Sequence, residues 1–593
     1  MKYFNFSITV MFITLFILSS CTKDKFEPEN QSDVILVQDD LNTQQSEGQI
    51  VLGERLDDPY ALKNMKKAYD NLKISTLNTP NIEINANNIY IRFLPKNDDE
   101  WWVLKSDTTI LLFDFPLDYE IEETGTYYHD PSLPENAITW QYCVLPIGYQ
   151  LPDIEHEIIY EVFIPKDDDL KSSSILGQFL LDLEEESYRL TDNLPESYDT
   201  EKRTKGLLPS KWTPRGTVKV WDNLIGSTTI YTKVFDHWEY YDCGGDGTVP
   251  IGMKLIKPVE DNRCKRAVYR YISHTTQGSY IPLEGARVNA RYLTKVRWNI
   301  TDRDGRFQTG QFRFKVNYAI KWERGEYDIR NGMILQAWYN GPKQKGDWNP
   351  KVNGGKSIMY ATMHRAAHKQ FYGDNLGIRR PTGNGKTKLC YINENGAGIF
   401  WGDWIDHGIL PDIKVWGKRN GNYKPVDEIF ATTSHELGHK SHWGYVGVID
   451  YAQTSIRVYE SWAEAVEWAL TNHEYHTKGA RFGGSVAINY ECPYTNQLRW
   501  PASVGDLDYT PIFIDLMDNF NQRVGGTFGG QWYSANSGLP NDRITGYSLS
   551  YIQNNILDDS YGINSLRNAV KNNKIVGVTD ANIDELFALY WSN

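Results

Sequence analysis

Residues 431–443 read ATTSHELGHKSHW, and within them His435, Glu436 and His439 fit the pattern H-E-x-x-H. On an α-helix, residues four apart share a face, offset by about 40° around the axis and about 6 Å along it. Two imidazoles so placed can both reach one metal ion at about 2.0–2.1 Å. Glu436 lies one position round, where it need not ligate and can take a proton from a metal-activated water. The pentapeptide alone is a weak signal, and the sequence downstream strengthens it. Tyr459–Trp468 (YESWAEAVEW) is a second amphipathic helical stretch, whose Glu460 follows His439 by 21 positions. That interval leaves room for a loop and a return to the metal. Glu464 shares a face with Glu460, so spacing leaves both open as a third ligand. Glu467 reads as a solvated or capping charge.

These side chains need a helix for the motif, a second helix for the acid and a sheet behind them. Asp427-Glu428 leads the apolar run Ile429-Phe430-Ala431 into the motif, a good helix start. Gly438 costs that helix about 1 kcal/mol against Ala, which is tolerable if something packs close there. Ser357–Tyr372 has helical periodicity, while Leu389–Ile392 and Ile409–Trp416 read as strands. Residues 340–593 are therefore expected to form a mixed α/β catalytic domain. His364 and His368 are also four apart on a helix, but no glutamate follows the first, and they read as a satisfied pair. Tyr509–Met517 looks like a buried helix start.

The three-part motif resembles that of the gluzincins, the thermolysin-like clan of zinc metallopeptidases, in which a glutamate about twenty residues past H-E-x-x-H completes the site. The resemblance covers about 250 residues. It implies one catalytic Zn2+ held by His435, His439 and Glu460, with Glu436 as general base. An acid four residues past the ligand glutamate hydrogen-bonds the first zinc histidine in that clan, which maps to Glu464. A tyrosine or histidine there stabilises the oxyanion; no histidine follows His476, so Tyr547, just before the helix Ser548–Leu557, and Tyr451, between the two zinc helices, are the candidates. An edge strand of the clan pairs with extended substrate, which points to Ile409–Trp416 with Trp401, Trp404 and Trp416 nearby. The rival pattern H-E-x-x-H-x-x-G-x-x-H is not met: His442 comes only three residues after His439 and reads as a packing histidine.

Upstream, 213–335 is strand after strand. Leu283–Val288 (LEGARV) and Thr301–Phe307 (TDRDGRF) resemble the carboxypeptidase-regulatory-like β-sandwich, with Asp304-Gly305 as a hairpin turn rather than a calcium loop. Such a module would orient the catalytic domain or bind substrate or glycan. Residues 57–165 read as an α+β or mostly β domain. It opens with a helix over 57–75, and strands follow at Asn88–Leu94, Trp101–Leu104, Thr109–Phe115 and Glu157–Ile164. It could be a propeptide, a packing module or a binding module. Residues 166–212 hold a helix (Ser174–Tyr188) and a charged linker. The expected fold class is thus multidomain, with β-rich N-terminal modules followed by an α/β zincin-like metallopeptidase domain.

The start of the chain reads as an address. Ile8–Leu18 is an apolar run too short to span a bilayer but suited to a signal-peptide core over residues 1–20. Leu18-Ser19-Ser20-Cys21 resembles a bacterial lipobox, which implies acylation of Cys21 and lipid anchoring at the envelope. Residues 21–56 read as a flexible tether, and Thr22–Lys25 is similar to surface-export signals of some outer-membrane lipoproteins. A net charge of −14 and a pI near 5.4 argue against nucleic-acid binding, which needs a basic surface. Apart from Cys21 the five cysteines form no disulfide framework and no CxxC, though Cys243 and Cys264 could pair. The expected activity is zinc-dependent hydrolysis of protein or peptide substrates. The alternatives are a zinc hydrolase of a non-peptide substrate and a surface binding lipoprotein with an inactive peptidase domain.

Overall fold

The computed structural model describes residues 47–75, 80–166, 174–194, 211–242, 263–383, 385–400, 412–482, 485–486, 510–528 and 531–590. The signal peptide, Cys21, Trp401, Trp404 and the pairing of Cys243 lie outside them. No helix among the described residues is long and apolar enough to cross a membrane.

The tether ends earlier than its composition suggests. Strand β1 (Val51–Arg55) leads to helix α1 (Leu62–Ser75), strand β2 (Asn88–Phe93), helix α2 (Asp98–Ser106) and strands β3 (Tyr119–Glu123), β4 (Gln141–Pro146) and β5 (His156–Val162). Here β1 pairs antiparallel with β3, and β4-β2-β5 form an antiparallel sheet. Residues 47–56 are therefore built into the fold, with Ile50 buried. Glu47 accepts the Lys356 amide at 3.1 Å and the Tyr423 hydroxyl at 2.9 Å. Trp101–Leu104, expected as a strand, is helical in α2: Asn97 caps the helix by accepting from the Glu100 amide, and Trp101 and Leu104, one turn apart, are both buried. Thr109–Phe115 forms no strand, only an isolated bridge from Phe113 to Tyr142.

Helix α3 (Ile175–Leu190), capped by Ser174, precedes the β-rich stretch. This comprises β6 (Arg215–Thr217), β7 (Lys219–Asp242), β8 (Arg263–Pro282), β9 (Arg287–Tyr292), β10 (Lys295–Ile300), β11 (Arg306–Gln308), β12 (Val316–Lys321), β13 (Tyr327–Asn331), β14 (Leu335–Gln336), β15 (Trp338–Gln344) and β16 (Lys351–Val352). Strands β7 and β8 make a long antiparallel ribbon. A four-stranded sheet runs β10-β9-β12-β15, while β11 pairs with β6. The turn at Asp304-Gly305 is therefore not a hairpin within one sheet. It is turn chemistry all the same: Asp302 Oδ1 accepts the amides of Asp304 (2.9 Å) and Arg306 (2.8 Å), and Gly305 takes φ +75°.

Next come α4 (Gly355–Phe371), β17 (Thr387–Asn395), β18 (Gly398–Phe400), β19 (Ile413–Arg419), β20 (Asn422–Tyr423), α5 (Val426–Val446), α6 (Val448–Gln453), α7 (Ile456–Thr477), a two-stranded pair β21 (Arg481–Phe482) and β22 (Ser485–Val486), α8 (Ile512–Met517), a second pair β23 (Gly526–Phe528) and β24 (Gln531–Tyr533), and α9 (Leu549–Asn555), α10 (Ile563–Asn572) and α11 (Asp580–Phe587). The whole is a mixed α/β chain of several sheets. The second main sheet runs β14-β13-β17-β19-β18, parallel over β13, β17 and β19, with β20 also on β19. Two boundaries move as a result. Strand β13, inside the stretch read as sandwich, belongs to the sheet behind the motif helix, while β15, beyond residue 335, completes the four-stranded sheet. The expected edge strand also changes: β19 is internal, and among the described residues β18 lies at that side's edge.

One apolar core joins these parts, running from Ile50 through the four-stranded sheet to Phe430 and Leu437 of α5. Phe113 stacks on Trp338 with centroids 5.5 Å apart, and the Trp338 indole donates to Asp114 at 2.9 Å. Lys105 of α2 reaches Asp328 of β13 at 2.5 Å, both buried. Residues 57–165 are thus a wall of the shared core. Their removal should leave a chain without a cooperative unfolding transition by circular dichroism, and Phe113→Ala should cost about 3–5 kcal/mol in urea denaturation.

Candidate metal centre

Helix α5 is buried from Ile429 to His442, so each polar side chain along it needs a partner. Thr433 donates to the Ile429 carbonyl at 2.7 Å, Ser441 to the Arg379 carbonyl at 2.8 Å, and Lys440 to Asp412 at 3.2 Å. His435 and His439 turn toward α7. There Glu460, Glu464 and Glu467, at positions i, i+4 and i+7, form one acidic stripe facing them.

The two Nε2 atoms of His435 and His439 are 3.1 Å apart, and Glu460 Oε2 lies 3.2 Å from the first and 3.3 Å from the second. These three buried groups form a site that can hold a metal ion. Bonds of about 2.0–2.1 Å at tetrahedral angles place donor atoms about 3.3–3.4 Å apart, so the triangle already has the size of such a coordination face. Burial opposes charge on Glu460, but His439 and His435 outweigh it and hold the carboxyl well below the usual range.

The remote nitrogens fix the rings. His435 Nδ1 is 3.0 Å from Glu467 Oε2 and 3.7 Å from Glu464 Oε2. Only the first is a hydrogen-bonding distance. Glu467, read from sequence as a solvated charge, is thus the buried carboxylate on the imidazole, and Glu464 stands beside it. With Nδ1 donating to Glu467, the Nε2 lone pair faces Glu460 and His439. Tyr451 fills the matching position on the other ring, its hydroxyl 3.2 Å from His439 Nδ1. It is therefore placed to orient a ligand. Tyr547 is turned elsewhere: its hydroxyl meets the Ile575 amide at 3.4 Å and the Asn573 carbonyl at 3.5 Å, among the C-terminal helices.

His442 is fully buried, edge-on to the Tyr451 ring at 5.1 Å, and burial beside His439 lowers its pKa to about 3, as expected of a packing histidine. His364 is satisfied at both nitrogens, by Tyr327 at 3.0 Å and the Glu284 carbonyl at 2.9 Å.

Two residues of β18 complete the centre. A Cβ on Gly398 would stand 2.3 Å from Glu436 Oε1, so the edge-strand backbone lies directly over that carboxylate. Phe400 stacks over the His439 ring, centroids 6.2 Å apart at 11°. Neither was singled out in the sequence, where Gly398 is one glycine among 47. The i, i+4, i+7 acids of α7 were the readable sign that Glu467 also faces inward.

Glu467→Ala should weaken metal affinity about 10–100-fold, more than Glu464→Ala does, by competition with a chromophoric chelator. Gly398→Ala should displace Glu436 and leave metal affinity unchanged in the same competition assay.

No family model matches the chain, and no curated protein matches it, so the reading of this centre rests on its own atoms.

Proposed function

We propose that the chain is a zinc-dependent endopeptidase of gluzincin type, acting at the bacterial envelope. The observation that carries the reading is the triangle of His435 Nε2, His439 Nε2 and Glu460 Oε2 with Glu436 buried beside it under the β18 backbone. Two imidazoles and a carboxylate are a donor set suited to Zn2+, and three protein ligands leave a position for the reaction. When bound, zinc polarises the scissile carbonyl and makes water acidic enough to be deprotonated near neutral pH.

Glu436 is held off the ligand triangle by its place on the helix. It is the general base that accepts the proton of the attacking water and returns it to the leaving amine. Glu467 and Tyr451 keep both imidazoles in the ligating tautomer. Among the described residues β18 ends the sheet, and an extended peptide added along it as one more strand would carry a backbone carbonyl past Glu436. That geometry favours a peptide over a compact non-peptide substrate.

Incubated with a diverse peptide pool, the wild-type chain should generate new termini detectable by mass spectrometry. Glu436→Gln should retain one zinc per chain and lose turnover by several orders of magnitude. His439→Ala should lose both zinc and activity. Full activity in either variant would sink the assignment.

A further inference from the structure

Strand β9 reads Arg287-Val288-Asn289-Ala290-Arg291-Tyr292, an alternation that in an antiparallel strand marks one dry and one solvated face. The fold buries both. Val288 and Ala290 are fully buried on one side, and on the other Arg287 is 4 % exposed, Asn289 0 % and Arg291 2 %. Segment 113–117 roofs the polar face at one end: the Arg291 guanidinium lies 5.2 Å from the Phe115 ring centroid and donates to the Leu117 carbonyl at 3.2 Å. At the other end the Arg287 guanidinium lies 5.0 Å from the ring centroid of Trp298, a half-buried residue of β10. Among the described residues β10 is the edge strand of this sheet.

This covered face is short of hydrogen-bond partners and of negative charge. Both polar atoms of the Asn289 side chain, Arg287 Nε and Arg291 Nη2 are buried without a partner. Neither guanidinium has a carboxylate of the described residues within ion-pair distance. The register sets Lys321 directly opposite Arg287, and like charges so placed repel. The carboxylate that acts on Arg287 is Glu323, which Lys321 and Lys386 already hold at 2.5 Å each. Burial lowers the pKa of Arg287; Glu323 offsets this in part, and Arg324 adds to it. A buried cation without a counter-charge is costly, and buried donors without acceptors call for water or an ion. An oxyanion answers both deficits, because it brings negative charge and several acceptors. Asn289 stands between Trp298 on β10 and Ala319 on β12. The Ala319 methyl leaves the face lowest beside the amide.

We propose that Arg287 and Asn289, with Trp298 as the outer wall, bind an oxyanion: a carboxylate, or a group of the sulfate or phosphate type. Alternate residues of a strand lie about 6.5–7 Å apart, a span that a guanidinium on its long side chain covers easily. The Arg287 fork donates to the anion, and the Asn289 amide supplies a further donor from the floor of the site. Arg291, two residues along the same face, adds its charge. None of these residues belongs to the metal centre, so the site stands whatever that centre does.

The test uses the full chain in a chloride buffer, with sodium sulfate or sodium acetate replacing sodium chloride at constant ionic strength. Binding is read by calorimetry and by thermal unfolding. Wild type should bind one anion per chain and gain about 1–3 °C in Tm at saturation. Arg287→Met removes the unpaired charge, so in chloride it should match or exceed the wild type in Tm. Neither anion should bind to it or raise its Tm beyond the general salt effect that both proteins share. Asn289→Leu, of similar volume, should fold and bind several-fold more weakly than wild type. Tighter binding of sulfate would identify the occupant as a free tetrahedral anion, and tighter binding of acetate as the carboxylate of a larger molecule. Absence of binding to wild type at millimolar anion would overturn the proposal and leave water as the partner of these groups. Wild-type affinity in Arg287→Met, or a Tm in chloride well below that of wild type, would overturn it equally, since the guanidinium would then be matched within the chain.

Discussion

The metal centre depends on how closely α5 and α7 approach each other. Their contact is set at Gly438, where an added Cβ would stand 3.1 Å from Val466 Cβ and 3.3 Å from Ala463 Cα. A methyl there would require Val466 and Ala463, on the helix that carries Glu460, to give way by a few tenths of an ångström. A glycine in mid-helix sacrifices about 1 kcal/mol of helix propensity, which the burial of α5 on nearly every face offsets. The tight approach also brings the acidic stripe of α7 onto His435, so ligand and orienting carboxylate come from a single helix–helix contact.

The candidate site is more legible than the architecture. His435, His439 and Glu460 come together in the fold as their spacing predicts, because two residues four apart on a helix share a face and the following helix returns an acid to it. Glu467 escaped because a charged residue seven positions along an amphipathic helix has the same sequence signature whether it meets water or an imidazole. Gly398 escaped because its role is a close approach between a strand and a helix far apart in sequence. Tyr547 illustrates the opposite error: a tyrosine before a helix in the expected region is cheap, and packing turned it toward Asn573 and Ile575.

Secondary structure failed in the sequence where local pattern and capping disagreed. Trp101–Leu104 looks strand-like by its aromatic and branched residues, yet Asn97 and the i, i+3 pair Trp101 and Leu104 make it a helix. Residues 21–56 read as flexible because acidic, polar sequence resembles a linker. Yet Glu47 supplies a carboxylate to the start of α4, whose cap residue Gly354 has no side chain to offer. Long-range partners decide such segments, and a local reading does not contain them.

The interleaving of β12, β13 and β15 between two sheets bears on how this protein can change over evolutionary time. Strand β13 leaves the four-stranded sheet to open the one behind the motif helix, and the chain then returns to the first sheet with β15. A gene fragment cut between β12 and β13 would strip the first sheet of its edge strand β15, and one cut between β13 and β15 would strip the second sheet of β13. The part that carries α5 and α7 is therefore not a cassette that recombination can lift out and graft elsewhere. The strands must be inherited together, and variation is left to the loops between them.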